Sequence, residues 1–145
     1  MDNSRVLISW LADRDFWGLY ADLSETNRKK FFHEEDGELY LRGKKSPGRR
    51  LRKPDEEGNP GPVGTLLEKE VFDRAFLLCD CNPMLSSKYS QWAEKKWGLA
   101  VKPESVQIKS AFDYGTIYEE TRRILSDIRG TLQTEDELAI HLTPG

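Results

Sequence analysis

Four short segments bring together side chains suited to holding a nucleotide-like ligand: Ser9-Trp10-Leu11-Ala12-Asp13, Asp80-Cys81-Asn82, Asp113-Tyr114-Gly115-Thr116-Ile117-Tyr118 and Thr143-Pro144-Gly145. In the last, the Thr143 hydroxyl and the backbone amides of a Thr-Pro-Gly turn suit ribose or phosphate oxygens, because glycine lets the backbone approach and amides carry partial positive charge. The same three residues also read as an ordinary turn after a strand. Asp113 can satisfy the first amides of a helix, and Tyr114 offers a face on which a base could stack. A different chemistry is written in the run from Arg42 to Lys53, where Arg42, Lys44, Lys45, Arg49, Arg50, Arg52 and Lys53 occur with no acid between them. Such a run attracts nucleic-acid phosphates in a salt-sensitive way. It equally reads as a solvated loop balanced by Asp55, Glu56 and Glu57.

Catalytic and metal chemistry find less. Cys79 and Cys81 have only His33 and His141 as further good donors, short of what a closed zinc site asks, so the expectation is a structural thiol pair and no metal. There is no Walker-type loop, Gly-x-Ser-x-Gly elbow or Gly-x-Gly-x-x-Gly fingerprint after the first strand. The acids show no distinctive spacing for paired acid–base work, so no catalytic residue and no cofactor is assigned.

The elements that must position these residues follow from hydrophobic periodicity. Arg5–Trp10 reads as a strand buried on both faces. A polar excursion over 21–61 follows, read as a flexible basic loop, with a small hairpin around Glu35-Asp36-Gly37 flanked by Lys30–His33 and Glu38–Leu41. Val63, Leu66, Leu67 and Val71 then recur at helical spacing before a second strand, Phe72–Cys79. Asn82-Pro83 starts a helix whose face is Met84, Leu85, Tyr89, Trp92, Ala93 and Trp97, stopped by Gly98. A third strand is expected over Ser105–Lys109. A helix capped by Asp113 follows, with Tyr114, Ile117, Tyr118, Ile124, Leu125 and Ile128 as apolar positions and a stop at Gly130. The fourth strand is Glu137–Leu142. Strands alternating with helices argue for a parallel sheet with right-handed crossovers. In the common order 3-2-1-4, the ligand crevice opens between the carboxyl ends of the first and fourth strands.

The 145 residues suit one ordinary domain. A 37% hydrophobic and 32% charged composition suggests that part of the chain is not core. A net charge of −3 does not by itself point to nucleic acid. No apolar run approaches the roughly 20 residues of a membrane span, and no secretory signal is expected at the N-terminus. With two cysteines only one residue apart, the expected location is the reducing cytoplasm.

Several segments together resemble a known family. VLISWLADRDFW, GPVGTLL, FDRAFLLCD, DYGTIYEETRRIL and the terminal ELAIHLTPG resemble the CRISPR-associated Rossmann-fold (CARF) sensor domain. The variety most similar stands at the N-terminus of sigma-54-dependent regulators of the RNA-repair operon type. The likeness covers 5–20 and 61–145 and skips the basic excursion. It implies a Rossmann-like three-layer α/β sandwich that senses a nucleotide-type signal, a cyclic oligonucleotide or an RNA end, and in doing so controls an effector. It also implies dimerisation, with ring-nuclease-like phosphodiesterase activity as an alternative. By position it carries Ser9, Trp10 and Asp13 onto the loop after the first strand, and Thr143, Pro144 and Gly145 onto the ligand-contacting turn after the fourth. Members of the family continue past that turn, so the expectation here is a sheet of about four strands, truncated, and an effector region in a longer parent chain.

Overall fold

The computed structural model describes residues 4–42, 48–54, 58–80, 82–106, 114–132 and 136–141; of Tyr114, Thr116, Ile117 and His141 it describes the backbone. Along the chain, β1 (Arg5–Trp10) leads to α1 (Asp13–Asp22), α2 (Glu25–Phe31), β2 (Phe32–Glu35), β3 (Glu38–Leu41) and β4 (Arg49–Arg50). Then come α3 (Gly61–Lys69), β5 (Arg74–Cys79), α4 (Pro83–Trp97), β6 (Ala100–Ser105), α5 (Tyr114–Thr131) and β7 (Glu137–His141). These elements gather into two compact units, the first made of the described residues of 1–10 and 71–142, the second of those of 11–70.

The first unit is an α/β body around a parallel four-stranded sheet in the order β6-β5-β1-β7. Central β1 is Val-Leu-Ile in sequence because both of its faces are buried, as parallel sheets require. Val6 and Ile8 of β1 join Phe76 and Leu78 of β5 in a core cluster closed by Val106 and by Ile124 and Ile128 of α5. The two α5 residues are one helical turn apart and so face the sheet together. α4 packs against β5 and β6, and its Glu94 carboxylate accepts the Val101 amide of β6 at 2.9 Å. Asn82 caps this helix by accepting the Met84 amide at 2.8 Å, and Gly98 ends it in the left-handed region. At the amino edge, Asp73 accepts the Arg5 amide at 2.7 Å, and Arg5 pairs with Glu137 as Arg74 does with Asp136.

Several expectations shift here. The third strand lies at Ala100–Ser105, earlier than expected, because Val101 supplies the buried apolar position; 107–110 lie outside the described residues. Val71 is 82% exposed and lies past the end of α3, and Met84 is 58% exposed at the first turn of α4, whose buried face is Leu85, Ser86, Tyr89, Ser90 and Ala93. α5 runs through Gly130 to Thr131. Cys79 is buried and disulfide-bonded, where a structural thiol pair was expected.

The second unit corrects the reading of 21–61 as a flexible loop. Phe16, Leu19, Phe32, Leu39, Leu51 and Val63 are each at most 2% exposed, enough apolar volume to order the described part of this polar stretch. α1 and α3 pack together, and β2-β3-β4 form an antiparallel sheet. The hairpin between β2 and β3 turns at Asp36 and Gly37, both with positive φ, the two-residue turn that Asp-Gly favours. α2 starts at Ser24, whose hydroxyl accepts the Asn27 amide.

Asp15 ties this unit together. It stands at the third position of α1 and its carboxylate reaches back to the Ala12 amide at 2.8 Å, half of a capping box whose other half Ala12 has no side-chain oxygen to supply. The same carboxylate accepts the Val63 amide at 2.9 Å and also the Gly64 amide, so it caps α3 in place of Pro60, which makes no side-chain cap. The neighbouring chain must pass very close: Gly61 has φ +90, and a Cβ there would stand 2.5 to 2.6 Å from Asp15 atoms. Only glycine fits both demands.

Candidate functional site

In the first unit the chain leaves β1 for β5, continues outward to β6, and returns across the sheet to β7 on the other side of β1. The reversal lies between β1 and β7, and ligands of open parallel sheets bind at the carboxyl ends of strands at such a reversal. Beside it, a groove of about 550 Å³ runs between α5 and β7. Ile8, Leu138 and Ile140 form its floor, and Tyr118, Arg122 and Arg129 come from the helix. In the parallel register Val6 stands beside Leu138 and Ile8 beside Ile140, so these four share one sheet face. Because α5 follows a strand and precedes the next parallel one, its first turns lie toward the carboxyl edge, and Tyr118 and Arg122 belong to that half.

Trp10 shares this face with Val6 and Ile8 by the two-residue period, is half-buried and leans on the core cluster, so it sits at the carboxyl end of β1 on the groove side. Ser9 points to the opposite face. It is 0% exposed and its hydroxyl donates to the Trp10 carbonyl at 3.2 Å, which places it away from the groove. Asp80 is exposed just past the end of β5. Asp13 belongs to the second unit and has a structural task there. Its carboxylate receives the Arg49 guanidinium at 2.9 Å and the Arg52 amide at 3.2 Å. Asp113, Thr143, Pro144 and Gly145 lie outside the described residues, as does the side chain of Tyr114.

The basic run is divided in the same way. Lys44 and Lys45 lie outside the described residues. Arg49 is engaged by Asp13, Lys53 lies 6.0 Å from the centre of the Trp17 ring, and Arg50 and Arg52 are exposed. Among the described residues no group of three or more His, Cys, Asp or Glu is placed to hold a metal ion. No helix among them is long and apolar enough to cross a membrane.

Sequence reasoning took Tyr118 for a core position and passed over Arg122 and Arg129. Tyr118 is 64% exposed. The signal was present: Tyr118, Arg122, Leu125 and Arg129 recur at steps of four, three and four, one stripe of a helix. That stripe lies about one helical step aside from the buried Ile124 and Ile128, so it covers the sheet's edge rather than its centre.

Only two side chains among the described residues are shifted upward by burial. Burial pushes the Asp15 carboxyl up to about 7 from 3.8, against the pull of the amides of Ala12, Val63 and Gly64 and of the nearby Arg14 charge. Tyr20 is raised by burial and by Glu34, which accepts its hydroxyl proton in a hydrogen bond. Asp15 is 0% exposed, so its shift marks a structural knot and not a group that meets substrate. No family model matches this chain, and neither a curated protein nor a solved structure does.

Proposed function

We propose that the first unit is a Rossmann-like, nucleotide-sensing regulatory module of the CRISPR-associated Rossmann-fold type, with four parallel strands in the order 3-2-1-4. The observation that carries this reading is the groove between α5 and β7 beside the reversal of strand order. Its volume suits a nucleotide-sized group, and its lining combines an apolar floor with a few polar groups, the pattern of small-molecule sites. Tyr118 supplies an aromatic face for a base, and the Arg122 guanidinium supplies paired donors for phosphate. Trp10 lies at the carboxyl end of β1, on the sheet face that Ile8 shares.

In this reading a cyclic oligonucleotide or a phosphorylated RNA end is the ligand, and no cofactor or catalytic group takes part. β7 is an edge strand with Leu138 37% and Ile140 52% exposed. Occupying the groove alters what this edge presents, and so biases a dimer arrangement or an attached effector by differential affinity for two states. A cytoplasmic setting belongs to the same proposal.

Titration calorimetry with cyclic oligoadenylates and with RNA ending in a cyclic phosphate tests it. One of the two classes is expected to release or absorb heat with a one-site isotherm, and Arg122→Ala is expected to weaken it about tenfold or more, the loss of a hydrogen bond to a charged group. Absence of heat from both classes, or an Arg122→Ala isotherm matching the wild type, overturns the reading.

A further inference from the structure

In the second unit, the small β2-β3-β4 sheet has one buried face and one open face. Phe32, Leu39 and Leu41 point inward, each at most 9% exposed. By the two-residue period, His33, Tyr40 and Arg50 point the other way. The register sets these three in a row across the sheet, His33 opposite Tyr40 and Tyr40 opposite Arg50. The His33 and Tyr40 rings stand 6.1 Å apart with planes tilted by 41°, and both residues are half-buried. Arg50 is exposed beside them.

The row is continuous with a charged cleft. A cleft of about 460 Å³ follows the free edge of β2, and His33 lines it together with Tyr20, Arg28, Lys29, Glu34 and Arg42. The arginines here are held by main-chain carbonyls rather than by carboxylates. Arg42 donates from Nε to the Lys29 carbonyl at 2.5 Å. Arg28 lies 4.5 Å over the Tyr20 ring and donates to the Tyr20 and Ala21 carbonyls. The acids, by contrast, have partners: Glu34 takes the Tyr20 hydroxyl and Glu25 pairs with Lys29. At the far end of the sheet, Glu35 meets His33 at 3.2 Å and Glu38 stands opposite Glu35 at the turn. The open face therefore runs from acidic at the hairpin, through two aromatic rings, to basic at the cleft.

We propose that this face binds single-stranded nucleic acid, with bases stacked on the Tyr40 and His33 rings and phosphates held by Arg50 and Arg42. An open sheet carrying aromatic rings flanked by arginine is what unpaired bases require, since each base presents a π-face while its phosphates need cations alongside. A duplex keeps its bases inside the stack, where Tyr40 and His33 cannot reach them. The Glu35–Glu38 end repels phosphate and so gives the bound strand one end of the platform on which to enter.

Fluorescence anisotropy with the full chain tests this, using labelled oligouridine and oligodeoxythymidine with hydroxyl ends, and a duplex of equal length. Hydroxyl ends separate this site from recognition of a phosphorylated end, so this binding is expected even if the nucleotide-sensing reading fails. Both single strands are expected to bind and the duplex more weakly. Tyr40→Ala is expected to weaken binding about tenfold, as for loss of one stacked base, while Tyr40→Phe keeps it. Arg42→Ala and Arg50→Ala are each expected to lower the slope of log affinity against log salt by about 0.7, the share of one phosphate on a single strand. Both arginines are exposed, so they decide the matter should Tyr40→Ala unfold. No binding, duplex binding as tight as single-strand binding, equal loss with Phe and Ala, or an unchanged salt slope overturns the proposal.

Discussion

Replacing Asp15 by asparagine separates the shape of this side chain from its charge, and the structure fixes the sign of the result. The carboxylate accepts the Ala12 amide through one oxygen and the Val63 and Gly64 amides beside it, at a position with no exposure to water. Asparagine keeps one oxygen and turns an NH2 group toward the other amides, leaving donor against donor. Below pH 7 the folded wild type holds its proton and its hydroxyl faces the same opposition, so there the variant loses little; above it, each lost hydrogen bond to the charged group costs about 1.5 to 3 kcal/mol. Against this stands the cost of ionising the buried acid. With a folded pKa of about 7 and an unfolded value of 3.8, the folded chain holds a proton that the unfolded chain has released over that interval. Stability from this group is therefore full below pH 3.8, falls as pH rises through the window, and levels off above pH 7. The whole fall is at most about 4 kcal/mol, at about 1.4 kcal/mol for each pH unit. Asp15→Asn has no proton to lose, so the unfolding free energy of the wild type minus that of the variant should fall steadily from pH 4.5 to pH 7.5. Urea unfolding followed by far-ultraviolet circular dichroism at several pH values measures that difference, and comparing two chains cancels the titration of all other groups. A signed difference that stays constant across the range, or that rises toward pH 7.5, refutes the placement of a buried, desolvated acid between the two helix starts.

Two further outcomes follow from single contacts. Gly61→Ala should destabilise the chain by about 2 kcal/mol or more in the same urea assay, combining a left-handed backbone position with overpacking against Asp15; a loss below about 0.5 kcal/mol would contradict the close approach. Asn82→Ala should cost about 1 kcal/mol through the lost cap of α4, while Asn82→Asp restores it, read from the urea midpoint of each variant.

Much of the first unit was legible because its pattern is local. Val6, Leu7 and Ile8 in an unbroken apolar run mark a strand buried on both sides, and Asn82-Pro83 with Gly98 delimits α4 at both ends through capping chemistry that involves only neighbouring residues. The Asp36-Gly37 hairpin was equally readable, since a two-residue turn depends on φ alone. α1 was missed because its buried large residues are a single pair, Phe16 and Leu19, too few to set a helical period. Asp15 gave no signal beyond being an acid, because two of its partners lie 48 and 49 positions along the chain.

The amino-acid sequence by itself determined the alternation of strands and helices, the turn at Asp36-Gly37, the ends of α4 and the basic character of the stretch from Arg42 to Lys53. These rest on periodicity, backbone preference and charge, which act within a few residues. Tertiary structure alone decided that Asp13 meets Arg49, that Ser9 turns away from the face Trp10 occupies, and that Tyr118 lines an open groove beside Arg122 instead of a core. Each of those depends on which distant strand or helix arrives beside the residue, and a side chain's task is set by the neighbours that remove it from water or leave it there.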